Sequence, residues 1–412
     1  MKKRPAIETI LDRRLCLGCG ACAYLGASHG VAMRDYPNVG RRPTPPDALP
    51  EAIKREMAEV CPGIEVEARL PPERARAMGE DEILIGPSAG IWEGWAADGE
   101  IRFNASSGGA ITALAAYCVE RRGMAFALHT GMSAEEPWRN ETVLSRTRRD
   151  LIRNSGSRYS PSSPLEAIAA IEGSDGPCVF IGKPCDAAAV DRLRAIRPKL
   201  DRNLGLVLSF FCAGTPATSA TLDVAESLGK GEGSPIKSLR YRGQGWPGLF
   251  KVGFENGREA SLTYEESWGM LSRKKRQLRC HLCPDGLGEL SDVTCGDAWH
   301  RKAEGTDGIS IVIARTERGR EIVEGAIREG YIAAVASDAR NVVKAQVLTE
   351  RRKVVRARIL GLKLFGLPAP RFPGFFLDRA SAQESVPRRI KETLGMARRV
   401  ALRGYLRPEE RN

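Results

Sequence analysis

Cys16, Cys19 and Cys22 stand as C-x2-C-x2-C, and Cys61 precedes a proline further along. Three thiolates two residues apart can wrap an iron–sulfur cubane from one short loop, and a remote Cys before Pro can close the fourth corner. Gly18 and Gly20 lie between the ligands, where positive φ and close backbone approach are tolerated. Zinc more often takes paired C-x2-C knuckles, and a third Cys after two more residues suits it poorly. A [4Fe-4S] cluster is therefore the expected occupant. A second group comprises Cys280 and Cys283 in RCHLCPD, with Cys295 in TCGD. A lone C-x2-C is shared by zinc sites, redox thiols and clusters. RKKRQLR before the pair and PDG after it read as loop, which is not the helix start that thioredoxin-type thiols need. With Cys185 and either Cys212 or Cys295, four thiolates become available, and a second [4Fe-4S] site is the preferred reading over zinc or a purely structural set. Cys118 and Cys178 fall inside apolar patterns and are expected in the core.

Three further segments could hold a cofactor. Asn104-Ala-Ser-Ser-Gly-Gly109 precedes a helix, so Asn104, Ser106, Ser107, Gly108 and Gly109 would present free N–H groups and hydroxyls to a phosphate or another electron-rich group. A capped turn explains them equally well. Tyr241-Arg-Gly-Gln-Gly-Trp-Pro-Gly248 sets Arg242, Gly243, Gly245 and Trp246 in a permissive backbone. A planar cofactor could rest there, or the segment is a β-turn with an exposed Trp. Ser157, Arg158, Tyr159 and Ser160 add hydroxyls and one cation. Asp297 could position a substrate or bond its own turn. GQGWPG at 243–248 and GPSAG at 86–90 have the G-x-G-x-x-G and G-x-S-x-G spacings, but each runs into a strand-like stretch instead of opening a helix, and the chain has no G-x4-G-K-[ST] and no paired His at helical spacing. Rossmann, P-loop, His-metal and hydrolase readings thus lose their main support, and no residue is assigned a catalytic role.

The elements that must position these residues alternate strand and helix. PCVFIG, turned by KPCD into AAAVDRLRAI, and LGLVLSFFC, turned by AGTP into TSATLDVAESLG, point to an α/β protein whose core is a mixed, largely parallel sheet. Cys185 and Cys212 then emerge at one carboxyl edge, where open α/β sheets bind ligands. AITALAAYCVERRG reads as a helix stopped at Gly123, PEAIKREMAEV as a helix running into Cys61, ILIGPSAGIWEGWA as short strands, and GVAMRDYPNVGRRPTPPDALP as loop. Three divisions result: 1–65, a ferredoxin-like cysteine segment; 66–335, an α/β domain, which the family resemblance given below implies to be the FAD-binding and iron–sulfur catalytic one; and 336–412, a basic helical extension.

The 412 residues are 42% hydrophobic, enough for a large core or two domains. Eleven Cys is an odd number, MKKRPAIETILDRR has no apolar signal-type stretch, and no apolar run reaches spanning length. A reducing, cytoplasmic setting is expected. Residues 351–412 carry 16 Lys and Arg against 5 Asp and Glu, which leaves 47 against 46 in the preceding 350. The body is neutral and the tail basic, so a nucleic-acid partner is not expected.

NASSGGAITAL, GSRYSP, IGKPCDAAAV, FFCAGTP, YRGQGWPG and RCHLCPD…DVTCGDAW follow one another in an order that resembles the coenzyme F420 hydrogenase/dehydrogenase β-subunit family. The resemblance spans roughly residues 10–300, and the tail is similar to the ending of bacterial members. It implies an iron–sulfur flavoprotein oxidoreductase with an α/β core, passing electrons between [4Fe-4S] clusters, FAD and a hydride acceptor such as coenzyme F420. It places FAD against Ser106–Gly109, Ser157–Ser160 and Arg242–Gly248, and implies a ferredoxin or a hydrogenase/dehydrogenase subunit as redox partner. Two departures stand out. Arg158 replaces a frequent Lys, and Arg presents a planar fork in place of a mobile point donor. GKPC replaces GTPC, so Lys183 either lowers a thiol pKa or offers a cation to the flavin. An electron-transfer subunit without its own substrate site and a zinc-stabilised binding protein are the rival readings. The tail interleaves Ile359, Leu360, Leu362, Leu364, Phe365, Phe372, Phe375 and Phe376 with basic residues. Such a segment could lie peripherally on an anionic membrane; packing on the body is preferred, because the resemblance continues into the tail.

Overall fold

The computed structural model describes residues 6–44, 49–229, 233–273, 275–302 and 307–411. Its strands, in chain order, are β1 (Ala32–Tyr36), β2 (Gly40–Thr44), β3 (Gly90–Ala96), β4 (Ala127–Met132), β5 (Asn140–Ser145), β6 (Cys178–Gly182), β7 (Leu204–Phe210), β8 (Ile236–Arg240), β9 (Phe250–Phe254), β10 (Glu259–Leu262), β11 (Val293–Asp297), β12 (Ser310–Ala314) and β13 (Ile332–Ala336). An eight-stranded sheet runs β13-β3-β12-β11-β7-β6-β4-β5. β4, β6, β7 and β11 are parallel neighbours and form its centre, with antiparallel strands on both flanks.

The centre is parallel because β6 (CVFIG) and most of β7 (LGLVLSF) are apolar on both faces, and such strands are stable only when covered on both sides. One cover is the Ala-rich helix Ala110–Arg121 with the helix Glu317–Arg328, which pack Leu114, Tyr117, Ile322 and Val323 against Val179, Ile181, Leu206, Leu208, Val293 and Val312. The other is the helix Pro184–Ile196 together with the N-terminal segment, whose Val31, Met57 and Val60 join Phe180, Leu193 and Val207. Each such side chain contributes about 1.5–3 kcal/mol on burial. The alternation of β6 thus fixes the N-terminal cysteines to one face of the sheet.

The helices expected at Glu51–Val60, Ala110–Arg121 and Thr218–Gly229 are present. Three local expectations are corrected. Residues 32–44, read as loop, form the antiparallel hairpin of β1 and β2. Its residues are mostly polar, and remote contacts hold it: Thr218 Oγ1 donates to Asp35 at 2.8 Å, and Arg42 pairs with Glu409 at 2.7 Å. Ile83–Ile85, read as strand, ends the helix Glu80–Ile85, where Glu82 accepts from the Gly79 N–H. Leu278 and Arg279, read as loop before the pair, open the short helix Leu278–His281 that carries Cys280.

The tail forms the helices Ala339–Ala345, Val347–Lys363, Leu377–Ala382 and Val386–Leu402, and it packs on the body as preferred. Met396 and Val400 share a core with Ile10, Leu15, Cys61 and Leu278, and Phe375 is fully buried. Leu362 is buried too, whereas Leu360 and Leu364 are exposed. Arg352 is buried against Glu289 and donates to the Phe375 carbonyl at 2.8 Å. Arg352→Ala strands the Glu289 carboxylate and is expected to destabilise the fold by about 3–5 kcal/mol, read as a shift of the denaturation midpoint. Among the described residues no helix is long and apolar enough to cross a membrane.

Candidate functional site

The N-terminal cysteines converge. Cys16, Cys19, Cys22 and Cys61 line one small cavity with Gly18, Gly20 and Pro62. Gly18 and Gly20 have φ of 70° and 97°, and a Cβ on either would stand 2.6 Å from backbone, the Arg41 carbonyl oxygen or the Glu166 nitrogen. The glycines therefore let the loop lie against residues 41 and 163–166. Ser163 ties that contact, donating to the Gly18 carbonyl at 2.7 Å and accepting from Arg41 at 2.8 Å. Burial is the main influence raising all four thiols, and Cys61 reaches about 11. The thiolate charges also raise one another, as Cys61, Cys19 and Cys16 do at Cys22.

A second group gathers at the carboxyl edge of the sheet. Cys185 lies in the first turn of the helix Pro184–Ile196 after β6, and Cys212 follows β7, so both emerge at that edge as expected. Burial dominates at Cys185, with Cys212 and Cys283 raising it further. Burial pushes Cys212 up to about 12, again with Cys280 and Cys283 contributing. The Thr215 N–H points at the Cys280 sulfur at 3.5 Å. Cys295 is elsewhere. It sits on β11 among Val293, Val312 and Leu208, and burial is the single influence on its thiol. The arrangement favours Cys212 over Cys295 as the companion of Cys185, Cys280 and Cys283. Cys118 and Cys178 are core residues.

Among the described residues no three of His, Cys, Asp and Glu are drawn together tightly enough for a single metal ion. A lone zinc would hold four sulfurs about 3.8 Å apart, given Zn–S bonds of about 2.3 Å, whereas a cubane spaces its thiolates over a larger core. Buried thiols in apolar surroundings are inert unless a metal claims them. Two sets of four buried or half-buried thiols fit [4Fe-4S] clusters as a donor set.

A cavity of about 400 Å³ opens beside the second group, and Cys212 is in its wall. That volume is in the usual range for small-molecule sites. Ser106, Ser107, Gly109, Ser157, Arg158, Tyr159, Ser160, Lys183 and Arg242 all line it. Asn104, Gly108, Gly243, Gly245 and Trp246 do not. Asn104 Nδ2 donates to the Glu100 carbonyl at 3.0 Å and caps its own helix. Gly243, at φ 95°, lets the chain pass the Asn104 carbonyl, which a Cβ would approach to 2.4 Å. Gly108 donates its N–H to Ser310 Oγ at 2.9 Å. The serines of NASSGG also serve the wall itself: Ser106 Oγ accepts from the Ser157 N–H at 2.7 Å, and Ser107 Oγ bonds Ser310 Oγ at 2.9 Å.

Arg158 is spent on its surroundings. It donates to Asn140 Oδ1 at 2.5 Å and to the Pro137 carbonyl at 2.6 Å, and stacks on Tyr241 at 5.3 Å. These planar contacts require the guanidinium fork. Lys183 is buried, with Nζ 2.8 Å from Asp186 and donating to Ser162 Oγ at 2.7 Å. Burial works to lower it, but Asp186, Cys185 and Cys212 prevail and hold the ammonium above its usual range. Lys183 is thus a fixed cation between the cavity and the second thiol group.

Asp297 lines the cavity, and its side chain is held by remote partners instead of by its own turn. Both its oxygens accept from the buried Arg242 at 2.8 Å, and Oδ1 also accepts from Trp246 Nε1 at 2.7 Å. Arg242 lies over Tyr264 at 4.7 Å and over Trp299 at 5.4 Å, and those two rings stack at 5.1 Å. Trp246 packs on Trp299 at 5.3 Å, outside the cavity lining.

His129, on β4, lines the cavity and bonds Ser145 Oγ at 2.8 Å. Burial lowers it from 6.5 to about 4. The unfolded chain takes up this proton near pH 6.5 and the folded chain only near pH 4, so its stabilisation is present above 6.5 and lost as pH falls toward 4. The size is about 3 kcal/mol. His129→Gln is expected to reduce the difference in unfolding free energy between pH 7 and pH 4 by about that much, measured by denaturant titration at each pH.

With this geometry in place, comparison with known proteins is decisive. Residues 91–169 match the profile of the coenzyme F420 hydrogenase/dehydrogenase β-subunit N-terminal region, and residues 177–340 match that of its C terminus. The chain belongs to the coenzyme F420 hydrogenase/dehydrogenase β-subunit family. It is 26% identical to coenzyme F420 hydrogenase subunit beta of Methanosarcina barkeri over 57% of this chain and 77% of that one. It is 25% identical to F420-dependent formate dehydrogenase subunit beta of Methanocaldococcus jannaschii over 58% of this chain, spanning 59% of that relative's length. A chain of the F420-reducing [NiFe] hydrogenase complex from Methanosarcina barkeri shares the fold, with a TM-score of 0.54 and 21% identity, covering 71% of this chain and 98% of that one.

The family regions contain the second thiol group and most of the cavity wall, whereas Cys16, Cys19, Cys22, Cys61 and the tail beyond residue 340, which adds Ala345, Gln346, Val347 and Leu348 to that wall, lie outside them. Two residues near the thiols escaped the reading of the sequence. Arg42 is buried in the hairpin, and Arg279 is fully buried beside Cys280. The hairpin was hidden by its polar sequence; Arg279 had the signal of standing next to a ligand, a place where a charge is unusual if it is buried.

Proposed function

We propose that this family member is an iron–sulfur flavoprotein oxidoreductase that passes electrons between two [4Fe-4S] clusters, FAD and a hydride acceptor such as coenzyme F420. One observation carries the reading: Cys212 belongs both to the second thiol group and to the wall of the cavity. A redox group in that cavity would have a cluster as its immediate neighbour. Cys16, Cys19, Cys22 and Cys61 would hold one cluster, and Cys185, Cys212, Cys280 and Cys283 the other. Bound there, the clusters supply one-electron carriage and FAD supplies hydride chemistry.

The chain's own residues prepare the site. Ser106, Ser107, Ser157 and Gly109 form a small-residue wall that admits a bulky cofactor. The Arg242–Asp297 pair holds the opposite wall, and Lys183 offers a fixed positive charge where a reduced, anionic cofactor would be favoured. His129 stays neutral at physiological pH and adds no competing charge. The relatives named above are subunits of oxidoreductases, which supports a protein redox partner, a ferredoxin or a hydrogenase/dehydrogenase subunit, in a reducing compartment.

Anaerobically purified protein is expected to contain about eight irons, four per cluster, with bound FAD and iron far above zinc. Screening reduced F420, reduced nicotinamides and reduced ferredoxin by bleaching of the flavin band, and quinones by its recovery after reduction, identifies the partner. Full iron with no flavin overturns the reading.

A further inference from the structure

Arg279 is 0% exposed, although it carries a charge and lies between two metal-ligand sequences. Its Nη2 donates at 2.8 Å to the carbonyl of Pro62, the residue after Cys61, while its own neighbour in the chain is Cys280. One side chain therefore spans from the first thiol group to the second. Leu278 and Leu282, which flank it, share a core with Cys61, Ile64 and Ala58, with Cys16 and Cys22 packed against it. The two groups are neighbours across this residue.

The remaining donors of Arg279 are unsatisfied. Nε and Nη1 are buried and have no hydrogen-bond partner, and among the described residues no carboxylate pairs with the guanidinium. The guanidinium also lies over the face of Phe372 at 4.8 Å. Arg42, buried nearby, makes the contrast: it is held by both oxygens of Glu409 at 2.7 and 3.1 Å. A buried guanidinium without a counter-ion is strongly unfavourable, and proteins tolerate one where an anion compensates it. Clusters with four thiolates are anionic, and hydrogen bonds to their sulfurs are a main control of their potential.

We propose that Arg279 is a positioning residue shared by both clusters, its free N–H groups lying between them, so that one guanidinium stabilises the reduced state of each and couples their potentials. The inference rests on the two-cluster reading above. It assigns this side chain a role that neither thiol group requires for binding iron.

The test uses full-length holoprotein and Arg279→Gln, with EPR-monitored redox titration. Iron content is measured first. If the wild type holds no clusters, the functional reading fails, independently of Arg279. With both clusters present, Arg279→Gln is expected to weaken the reduction equilibrium of both at least tenfold, a fall of about 59 mV for each one-electron couple. Arg279→Lys, which keeps the charge with fewer donors, is expected to keep full iron and to show smaller shifts in the same direction. It serves as the measured variant should Arg279→Gln fail to fold. A second readout needs no substitution at Arg279: the EPR spectrum of fully reduced wild type should show broadening from two neighbouring paramagnets, absent in Cys16→Ser. Unchanged potentials, a shift at one cluster alone, or non-interacting EPR signals overturn the proposal.

Discussion

Cys280→Ser is expected to lower the iron content from about eight to about four per chain, while Cys295→Ser leaves it at about eight. The two cysteines are equally plausible ligands by type, and both line or adjoin the cavity region, so the difference lies in placement. Cys280 has the Thr215 N–H aimed at its sulfur and stands with Cys212 and Cys283. Cys295 is a strand residue packed among Val293, Val312 and Leu208, with no other thiol among the influences on it. Loss of one of four thiolates opens a corner of the cluster; loss of a core Cys removes a small hydrophobe. Elemental analysis and visible absorbance decide between them. Because Cys212 also walls the cavity, Cys280→Ser should retain FAD yet lose its reduction by the protein partner, whereas equal iron loss in both variants would refute the assignment.

Asp297→Ala is expected to destabilise the protein by about 3–5 kcal/mol, since it leaves Arg242 buried without its carboxylate. Asp297 accepts both guanidinium branches and the Trp246 indole, so the substitution also removes the acceptor of a half-buried donor. The Tyr264–Trp299 stack beneath Arg242 would lose its lid, and the cavity wall with it. FAD should therefore dissociate more readily, read by fluorescence of released flavin. The double variant Arg242→Met with Asp297→Leu is expected to be less destabilised than either single change, because removing both charges avoids an uncompensated one. Additive losses in that cycle would show that the ion pair is not what holds the wall.

Much of this protein could be read from residue order. The buried runs PCVFIG and LGLVLSFFC can only be covered strands, and the Cys that follows each must then appear at the same edge of a parallel pair. C-x2-C-x2-C carries its own ligand geometry, and the family motifs follow the chain in order. These features are local: they depend on period, on spacing and on what a side chain can do within a few residues.

Other features came from contacts between distant parts of the chain. The hairpin of β1 and β2 has no apolar alternation to announce it and is held by Thr218 and Glu409. Trp246, read as a bed for a planar ring, is absent from the cavity lining and instead bonds Asp297 and packs on Trp299, two residues of that lining. The choice of Cys212 over Cys295 depends on where β11 falls in the sheet, and spacing says nothing of that. The burial of Arg279 between two thiol groups more than 200 residues apart in the chain is likewise a product of packing. Types and spacings settled which atoms could bind metal and cofactor; the three-dimensional arrangement decided which of them meet, because electrostatic and hydrogen-bond partners are chosen by proximity in space.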